Sequence, residues 1–591
     1  MALFGNSFKE LLMAEAMLEE EYRHSHDNLS YQNESKQDDD KQDRRCYKPQ
    51  PLLTSPSALK RKSTASTGDS NSDVPGLRRE VVIQLPPKRK RLQGNYSAND
   101  IVQALHRAMS PDERMEALEN AIDTFDHDDR AKHEHEIAIG ADVALVKALV
   151  FLEYASGFRR EPIRADMDAI TKEIGLVLTA LECVYRASSE SVGESFNRVG
   201  KDLLHILVIL IDEEVQYRVR AVSSLTNQED GDASNSNNGD TIATPSGGGP
   251  TTDKKPSVTA PSPDYDKASV SIYERDLLLR KATKCLGHFA RVGFATKPMA
   301  HFPGFLGSTL NLINLRPVSI VPFEARLSCL WIIANLACNT ENMTMMSCTP
   351  GLLNSLASIS CRQAEIGDSL ETIMEILRAK SIASRALLNL SWSPENKVLM
   401  ADSFGLLETL TGLALERRAP YRKSKTMQEI MLQTRRNSIG ALRNIAAAPR
   451  RSKVSLCEYN NGKLLDTMTD VALNETDEQA VDLAFACIHN LAIHDTAEAM
   501  VDRPALVLAL KNVLLEDDSN DSNDEAESSK CSRKSNASST ILVLERTITP
   551  EMSAYENLRE LLDAVNPNST TPDEDEKDNV ITSGAVNPTA V

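Results

Sequence analysis

One four-residue core recurs along the second half of the chain, and it limits what the chain can fold into. The core is ANLA around Asn335, LNLS around Asn389, RNIA around Asn444 and HNLA around Asn490. These asparagines are 54, 55 and 46 residues apart, and each lies in a segment with apolar residues at helical spacing. Because one such helix cannot bury its apolar face alone, the pattern predicts stacked helical repeats with a shared core.

Three weaker copies of the core extend the pattern towards the N-terminus. They place Asn120, Cys183 and His288 in the asparagine position. A glycine, which tolerates the left-handed backbone at a helix end, follows six of the seven cores by 16 to 20 residues. These glycines are Gly140, Gly200, Gly304, Gly351, Gly405 and Gly462. The chain is therefore expected to contain about seven repeats.

The clearest unit surrounds Asn389 and divides into short helices. Ser393 suits the N-cap of one helix, Pro394 suits its first position, and Gly405 is expected to end it. A capped helix ending in glycine, a leucine-rich helix and a long helix ending in A-L-x-N-L-A together resemble the armadillo repeat over about residues 110–515. The resemblance implies an all-α, right-handed superhelical solenoid whose third helices line a concave protein-binding surface.

The two ends of the chain are polar and are predicted to be disordered. Residues 1–94 are rich in Ser, Asp, Lys, Gln and Pro, with one short amphipathic segment at 8–22. That segment is either a transient helix or a docking helix for a partner groove. Residues 516–591 begin with an acidic run and contain one candidate helix at 550–564, which would cap the last repeat.

The solenoid itself is assigned to residues 95–515, with insertions. A Ser-, Asn-, Thr- and Gly-rich stretch at 227–267 is predicted to be a disordered loop inside one repeat. Smaller insertions at 362–369 and 417–427 explain the spacings near 55 residues.

A basic cluster in the N-terminal tail predicts nuclear import. Two prolines precede Lys88, Arg89, Lys90 and Arg91, and proline keeps such a segment out of a helix. The run resembles a monopartite nuclear localisation signal, which an import adaptor reads as extended cationic side chains. We therefore expect a nuclear protein, with shuttling to the cytoplasm left open.

The armadillo resemblance also implies a set of partner-binding residues. In that family the asparagine of the third helix hydrogen-bonds the backbone of a bound extended segment, because an amide both donates and accepts. By position these residues are Asn335, Asn389, Asn444 and Asn490. The alternative is that the same asparagines brace neighbouring helices, and the sequence leaves both interpretations open. Trp331 lies one turn before Asn335 and is either a pocket residue or part of the core.

Charge indicates the kind of partner. The 591-residue chain has a formal charge of −19, yet residues 416–453 contain eleven cations and two carboxylates. The arginines placed beside the asparagines are Arg385, Arg435, Arg436 and Arg443. A basic surface within an acidic chain selects acidic partners. The prediction is an extended acidic protein segment as ligand. Nucleic acid is a less favoured ligand, and the acidic run at 516–527 is a candidate autoinhibitor.

The sequence lacks the motifs of common enzymes and of metal or cofactor sites. It contains no GxxxxGK[ST], GxGxxG, HExxH or GxSxG pattern, so we expect no catalysis and no cofactor. His127, His133 and His135 cluster with carboxylates, but the pattern is expected to be an exposed polar turn without a metal. The ten cysteines show no framework, which favours reduced thiols, and no apolar run is long enough to span a membrane.

These observations predict a non-enzymatic nuclear scaffold that binds extended acidic segments. Two alternatives are a karyopherin-alpha-like transport adaptor and an armadillo-like subunit of a chromatin-remodelling or transcription complex. The adaptor is disfavoured because no other unit repeats the Trp331–Asn335 pairing.

Overall fold

The computed structural model describes residues 97–565 except 109, 157–163, 235–263, 317–319, 366–367, 417–423, 516–523 and 553. These residues all belong to one contact unit. They form 23 α-helices and a few short 3₁₀ turns, with no strand among them. The predicted helix at 8–22 and the basic cluster at 88–91 lie outside the described residues.

Three rows of helices build the fold, and within each row successive helices pack on one another. The long row consists of α2 (Pro111–Phe125), α5 (Arg164–Val184), α7 (Asp264–Ala290), α10 (Phe323–Leu336), α13 (Leu370–Leu390), α16 (Lys425–Ala446), α19 (Glu478–Leu491) and α22 (Asp524–Thr547). The second row consists of α1 (Ala98–Arg107), α4 (Ala141–Ser156), α6 (Ser189–Ser234), α9 (Phe305–Asn314), α12 (Leu352–Ser360), α15 (Phe404–Ala414), α18 (Lys463–Asn474), α21 (Pro504–Leu515) and α23 (Tyr555–Val565).

The third row is made of short helices. They are α8 (Thr296–Ala300), α11 (Thr340–Ser347), α14 (Pro394–Ala401), α17 (Arg450–Glu458) and α20 (Ala497–Val501), with a 3₁₀ turn at His494–Thr496 joining the last two. The remaining helix, α3 (Arg130–Ala138), packs on α4, α5 and α6.

The repeated cores all fall in the long row. Their seven central residues lie in α2, α5, α7, α10, α13, α16 and α19, in chain order. The apolar residue that follows each of the four clear asparagines is fully buried, as Leu336, Leu390, Ile445 and Leu491 show. The prediction of an all-α repeat solenoid built on these cores is therefore confirmed.

The glycine prediction holds at four positions and fails at two. Gly140, Gly304, Gly351 and Gly462 have φ between 81° and 88°, the left-handed backbone that favours glycine. Gly405, in contrast, lies inside α15 and does not end the preceding helix, and Gly200 lies inside α6. The chain turns between α14 and α15 at Asp402 and Ser403, both with negative φ, so no left-handed residue is needed there.

The predicted insertions are partly helical. Helices α13 and α16 have 21 and 22 residues, whereas α10 and α19 have 14, so the longer repeat spacing is partly helix extension. The extensions bury a separate apolar cluster of Ile373, Leu377, Met427, Ile430 and Met431. Similarly, α6 continues to Ser234 and α7 begins at Asp264, so the ends of the 227–267 stretch are helix and not loop.

The C-terminal assignment needs the largest correction. Helix α22 lies within the segment predicted to be a disordered acidic tail, and it packs on α19 and α21. Ala537, Ile541 and Leu544 are buried there. The candidate helix at 550–564 corresponds to α23, which packs on α21.

Two further predictions concern membrane-spanning helices and the cysteines. Their helices include none that is both long and apolar enough to cross a bilayer. Cys329 and Cys487 are free and buried, and burial raises the pKa of the Cys329 thiol to about 12.

Candidate partner-binding surface

Two of the predicted asparagines connect successive helices of the long row. Asn389 Nδ2 donates to the carbonyl of Ala334 at 3.0 Å and to Cys338 Sγ at 3.1 Å. Asn490 Nδ2 donates to the carbonyl of Arg443 at 3.0 Å. Both carbonyls lie in the last turn of the preceding long-row helix, where backbone acceptors lack intrahelical partners. Each amide therefore satisfies an acceptor in the previous repeat.

Asn444 is bonded differently. Its Nδ2 donates to Ser391 Oγ at 3.0 Å, and its Oδ1 accepts from Nε and a terminal nitrogen of Arg443 at 3.2 and 2.7 Å. Because this side chain is buried, it is out of reach of a ligand on the surface. Asn335 is half-buried on α10.

Asn389, Asn444 and Asn490 thus brace adjacent repeats, which uses part of the hydrogen-bonding capacity of each amide. In the described chain, Oδ1 of Asn389 and Oδ1 of Asn490 accept no hydrogen bond, while both Nδ2 groups are in use. Each amide can accept an N–H from an extended segment; both donors of Asn389 are in use, whereas Asn490 uses one of its two. Bracing therefore uses Nδ2 of both side chains and leaves Oδ1 of both unused within the described residues.

Two arginines of the predicted set stack on tryptophans. The Arg385 guanidinium lies 5.1 Å from the ring centroid of Trp331, and the Arg443 guanidinium lies 5.5 Å from that of Trp392. Each pair joins adjacent repeats, the first across α10 and α13 and the second across the end of α13 and α16. Such cation–π contacts hold the charge at a fixed position.

Sequence reasoning overlooked Trp392. It is one of only two tryptophans in the chain, it lies three residues after Asn389, and 41% of it is exposed. The sequence contained a signal for Trp392, because both tryptophans lie within one turn of an asparagine core.

The charged guanidinium of Arg443 is half-buried. Burial lowers the pKa of its guanidinium. Its polar contact is the amide of Asn444, and it forms no ion pair within the part of the chain that the structure describes. A partly buried cation that lacks a counter-ion attracts an external carboxylate.

Arg435 and Arg436 are already paired within the chain. Arg435 lies 3.2 Å from Glu475, and Arg436 donates two hydrogen bonds to Asp477, one of them at 2.9 Å from Nε. The bond to Asp477 raises the pKa of the Arg436 guanidinium. Both carboxylates lie between α18 and the start of α19, so these pairs join α16 to the next repeat.

The predicted basic stripe therefore divides into two kinds of arginine. Arg435 and Arg436 hold adjacent repeats together, whereas Arg385 and Arg443 stack on tryptophans beside the asparagine cores. Among the other cations of 416–453, four lie outside the described residues, and Arg450 pairs with Asp495.

Comparison with known proteins identifies no family for this chain. No protein-family model and no curated protein matches the chain. Among solved structures, two engineered proteins are similar to 45% and 44% of this chain, over 92% and 93% of their own lengths. Their sequence identities are 19% and 18%, and their TM-scores are 0.32 and 0.34.

Proposed function

We propose that this protein is a non-enzymatic scaffold that binds an extended, acidic segment of a partner protein on its long-row helices. The observation that carries the proposal is Arg443, a partly buried cation stacked on the exposed Trp392 and lacking a described counter-ion. A partner carboxylate would supply the missing charge. The Oδ1 atoms of Asn389 and Asn490 would accept backbone N–H groups of the same segment.

The armadillo resemblance supports where the segment would lie. We infer a right-handed armadillo-like superhelix of about seven repeats with the long row on its concave face. Trp331 and Arg385 would form a second contact next to that of Trp392 and Arg443. Because both tryptophan rings already stack on guanidinium groups of this chain, an acidic ligand is favoured over the basic cargo of a karyopherin-alpha-like adaptor.

A binding titration tests the acidic-segment proposal. The probe is a fluorescent polyglutamate peptide, with polylysine of equal length as the control ligand, followed by anisotropy at two salt concentrations. Arg443→Gln should weaken polyglutamate binding about tenfold, or about 1.4 kcal/mol. Arg443→Lys should rescue it poorly, since lysine cannot form the bidentate contact.

The matched control is Arg450→Gln, which changes an exposed arginine on the short third-row helix α17. This variant should bind polyglutamate like the wild type, and added salt should weaken both. If Arg443→Gln binds as tightly as the wild type, the surface around Trp392 is not the acidic-segment site.

The nuclear assignment rests on the basic cluster alone. We propose that Lys88, Arg89, Lys90 and Arg91 engage an import adaptor and carry the protein into the nucleus. Replacing all four by alanine in a fluorescent fusion should shift it to the cytoplasm. Because residues 60–62 are also basic, a variant lacking both clusters is the control, and nuclear accumulation of that double variant would contradict the assignment. An armadillo-like subunit of a chromatin-remodelling or transcription complex is compatible with this scaffold role.

A further inference from the structure

A cluster of two histidines and a glutamate near the N-terminal end of the solenoid differs from its sequence prediction. The histidine-rich turn was expected to be exposed, but His133 is 1% and Glu136 is 3% exposed. His135, which the sequence grouped with them, is exposed and does not take part. The third member is the half-buried His127, which precedes α3.

The two imidazole rings converge on the carboxyl group of Glu136. His127 Nε2 lies 2.7 Å from Oε1, and His133 Nδ1 lies 3.0 Å from Oε2. One donor atom from each residue falls within 4.8 Å of the other two. The two imidazole rings are stacked, with centroids 4.1 Å apart.

The hydrogen-bond partners of His133 require a cation at this position. His133 Nε2 lies 2.9 Å from the carbonyl oxygen of His127, which can only accept, so Nε2 carries a proton. In neutral imidazole, Nδ1 then presents its lone pair to a carboxylate oxygen, which is repulsive unless a proton or metal ion lies between them. Within the described residues the ionic partners of Glu136 are these two imidazoles. A buried carboxylate needs such a compensating charge.

We propose that His127, His133 and Glu136 bind one divalent transition-metal ion of the Zn²⁺ class. Two imidazoles and a carboxylate are a donor set that zinc accepts, and a fourth position is left for solvent. The bond from His133 Nε2 to the His127 carbonyl is the kind of outer contact that orients a metal-bound histidine through its other nitrogen. The site is distinct from the surface around Trp392 and Arg443.

Binding requires a limited rearrangement of His127. Its Nδ1 accepts a long hydrogen bond, 3.3 Å, from the backbone N–H of Asp129, so its Nε2 carries the proton directed at Glu136. To bind the ion through Nε2, the ring must release that proton and tilt away from His133, which is easier for the half-buried ring than for the buried one. The ion would then connect the turn before α3 to α3, which packs on α4, α5 and α6.

The experiment uses the full chain, freed of metal with a chelator and then titrated with ZnCl₂. Native mass spectrometry gives the stoichiometry, and calorimetry gives the affinity. The wild type should bind one ion more than His133→Gln or Glu136→Gln, and His127→Gln should weaken that event at least about tenfold. The control His135→Gln, at the exposed neighbour, should behave like the wild type. Circular dichroism verifies folding, and His127→Gln serves if the buried variants unfold.

A cobalt titration distinguishes this site from the cysteines. Co²⁺ bound by two histidines and a glutamate shows ligand-field bands without a thiolate charge-transfer band. Equal zinc affinity of the wild type and the His127→Gln variant for the first ion, or a thiolate band for the first ion bound, would overturn the proposal. Absence of binding to the folded wild type would overturn it as well, because the cation between His133 and Glu136 is then a proton.

Discussion

At the scale of single residues, Asp477 performs two functions that a substitution can separate. It caps α19 by accepting from the N–H of Ala480 at 2.9 Å, and it pairs with Arg436 of the preceding repeat. Asparagine caps a helix as well as aspartate does, so Asp477→Asn keeps the first function and loses the charge of the second. The loss in unfolding free energy should be about 1–2 kcal/mol, since partial exposure screens the pair. Urea denaturation measures it.

The same variant has a defined pH dependence. Burial alone would raise the pKa of the Asp477 carboxyl, but hydrogen bonds from Arg436 and from the N–H of Ala480 lower it below its usual value. A lowered folded-state pKa stabilises the protein above the unfolded value of about 3.9 and loses that effect as the pH falls through the folded value. The difference between wild type and Asp477→Asn should therefore be constant near neutrality and shrink in acid. The control is Asp466→Asn, which removes the charge of an exposed partner of Arg503. It should lower the unfolding free energy less than Asp477→Asn does.

The site residues were only partly predictable because their partners are distant in sequence. Arg435 and Arg436 are 40 and 41 residues from the carboxylates that pair with them. Local sequence shows a run of cations and cannot show that the next repeat neutralises two of them. The position of Arg385 one turn before Asn389 was predicted from helical spacing, and Arg443 is the sequence neighbour of Asn444.

At the scale of helices, a buried charge, that of Lys380, lies among the residues that extend α13 and α16. Lys380 is 2% exposed, and its Nζ lies 2.8 and 3.0 Å from the two carboxylate oxygens of Glu416, which follows α15. Leu377, Leu413 and Met431 line the same position. A buried ammonium group is tolerated only while it is paired.

Removing the partner of Lys380 should therefore be costly. Glu416→Gln is expected to lower the unfolding free energy by about 3 kcal/mol, because it leaves a buried ammonium without its counter-ion. The double variant Lys380→Met, Glu416→Gln removes the charge as well and should recover most of that loss. Thermal and urea denaturation of the three proteins gives the comparison. A double variant no more stable than Glu416→Gln would show that the ion pair itself, and not the buried charge, decides the stability.

The helices themselves were predictable where apolar spacing is strong and less so elsewhere. The four asparagine cores lie in long-row helices because Leu and Ile recur around them at helical period. Helix α22 was missed because its buried side includes small and polar residues such as Ala537 and Thr540, in a segment rich in serine. Only packing on α19 and α21 makes that face a core, and packing is not visible in one segment.

At the scale of the whole molecule, α22 changes what a C-terminal truncation would test. A chain ending at residue 515 lacks both α22 and α23 and exposes the faces of α19 and α21 on which they pack. It also leaves Asp482 without Arg533, which donates to it at 2.8 Å. Terminal helices that cover the last repeat are what keep a solenoid soluble. Truncation should therefore lower the melting temperature and promote aggregation. For that reason it does not test whether the acidic run is an autoinhibitor.

The autoinhibition hypothesis is better tested by changing charge and keeping the helices. If residues 516–521 compete with a partner for Arg385 and Arg443, then Glu516→Gln with Asp517, Asp518 and Asp521→Asn should bind the polyglutamate probe more tightly than the wild type. The gain should shrink at high salt, because the competing interaction is electrostatic. The control changes Asp573, Asp575 and Glu576, which lie beyond α23, to their amides and should leave binding unchanged. Equal affinity for both variants and the wild type would show that residues 516–521 do not occupy the surface around Trp392.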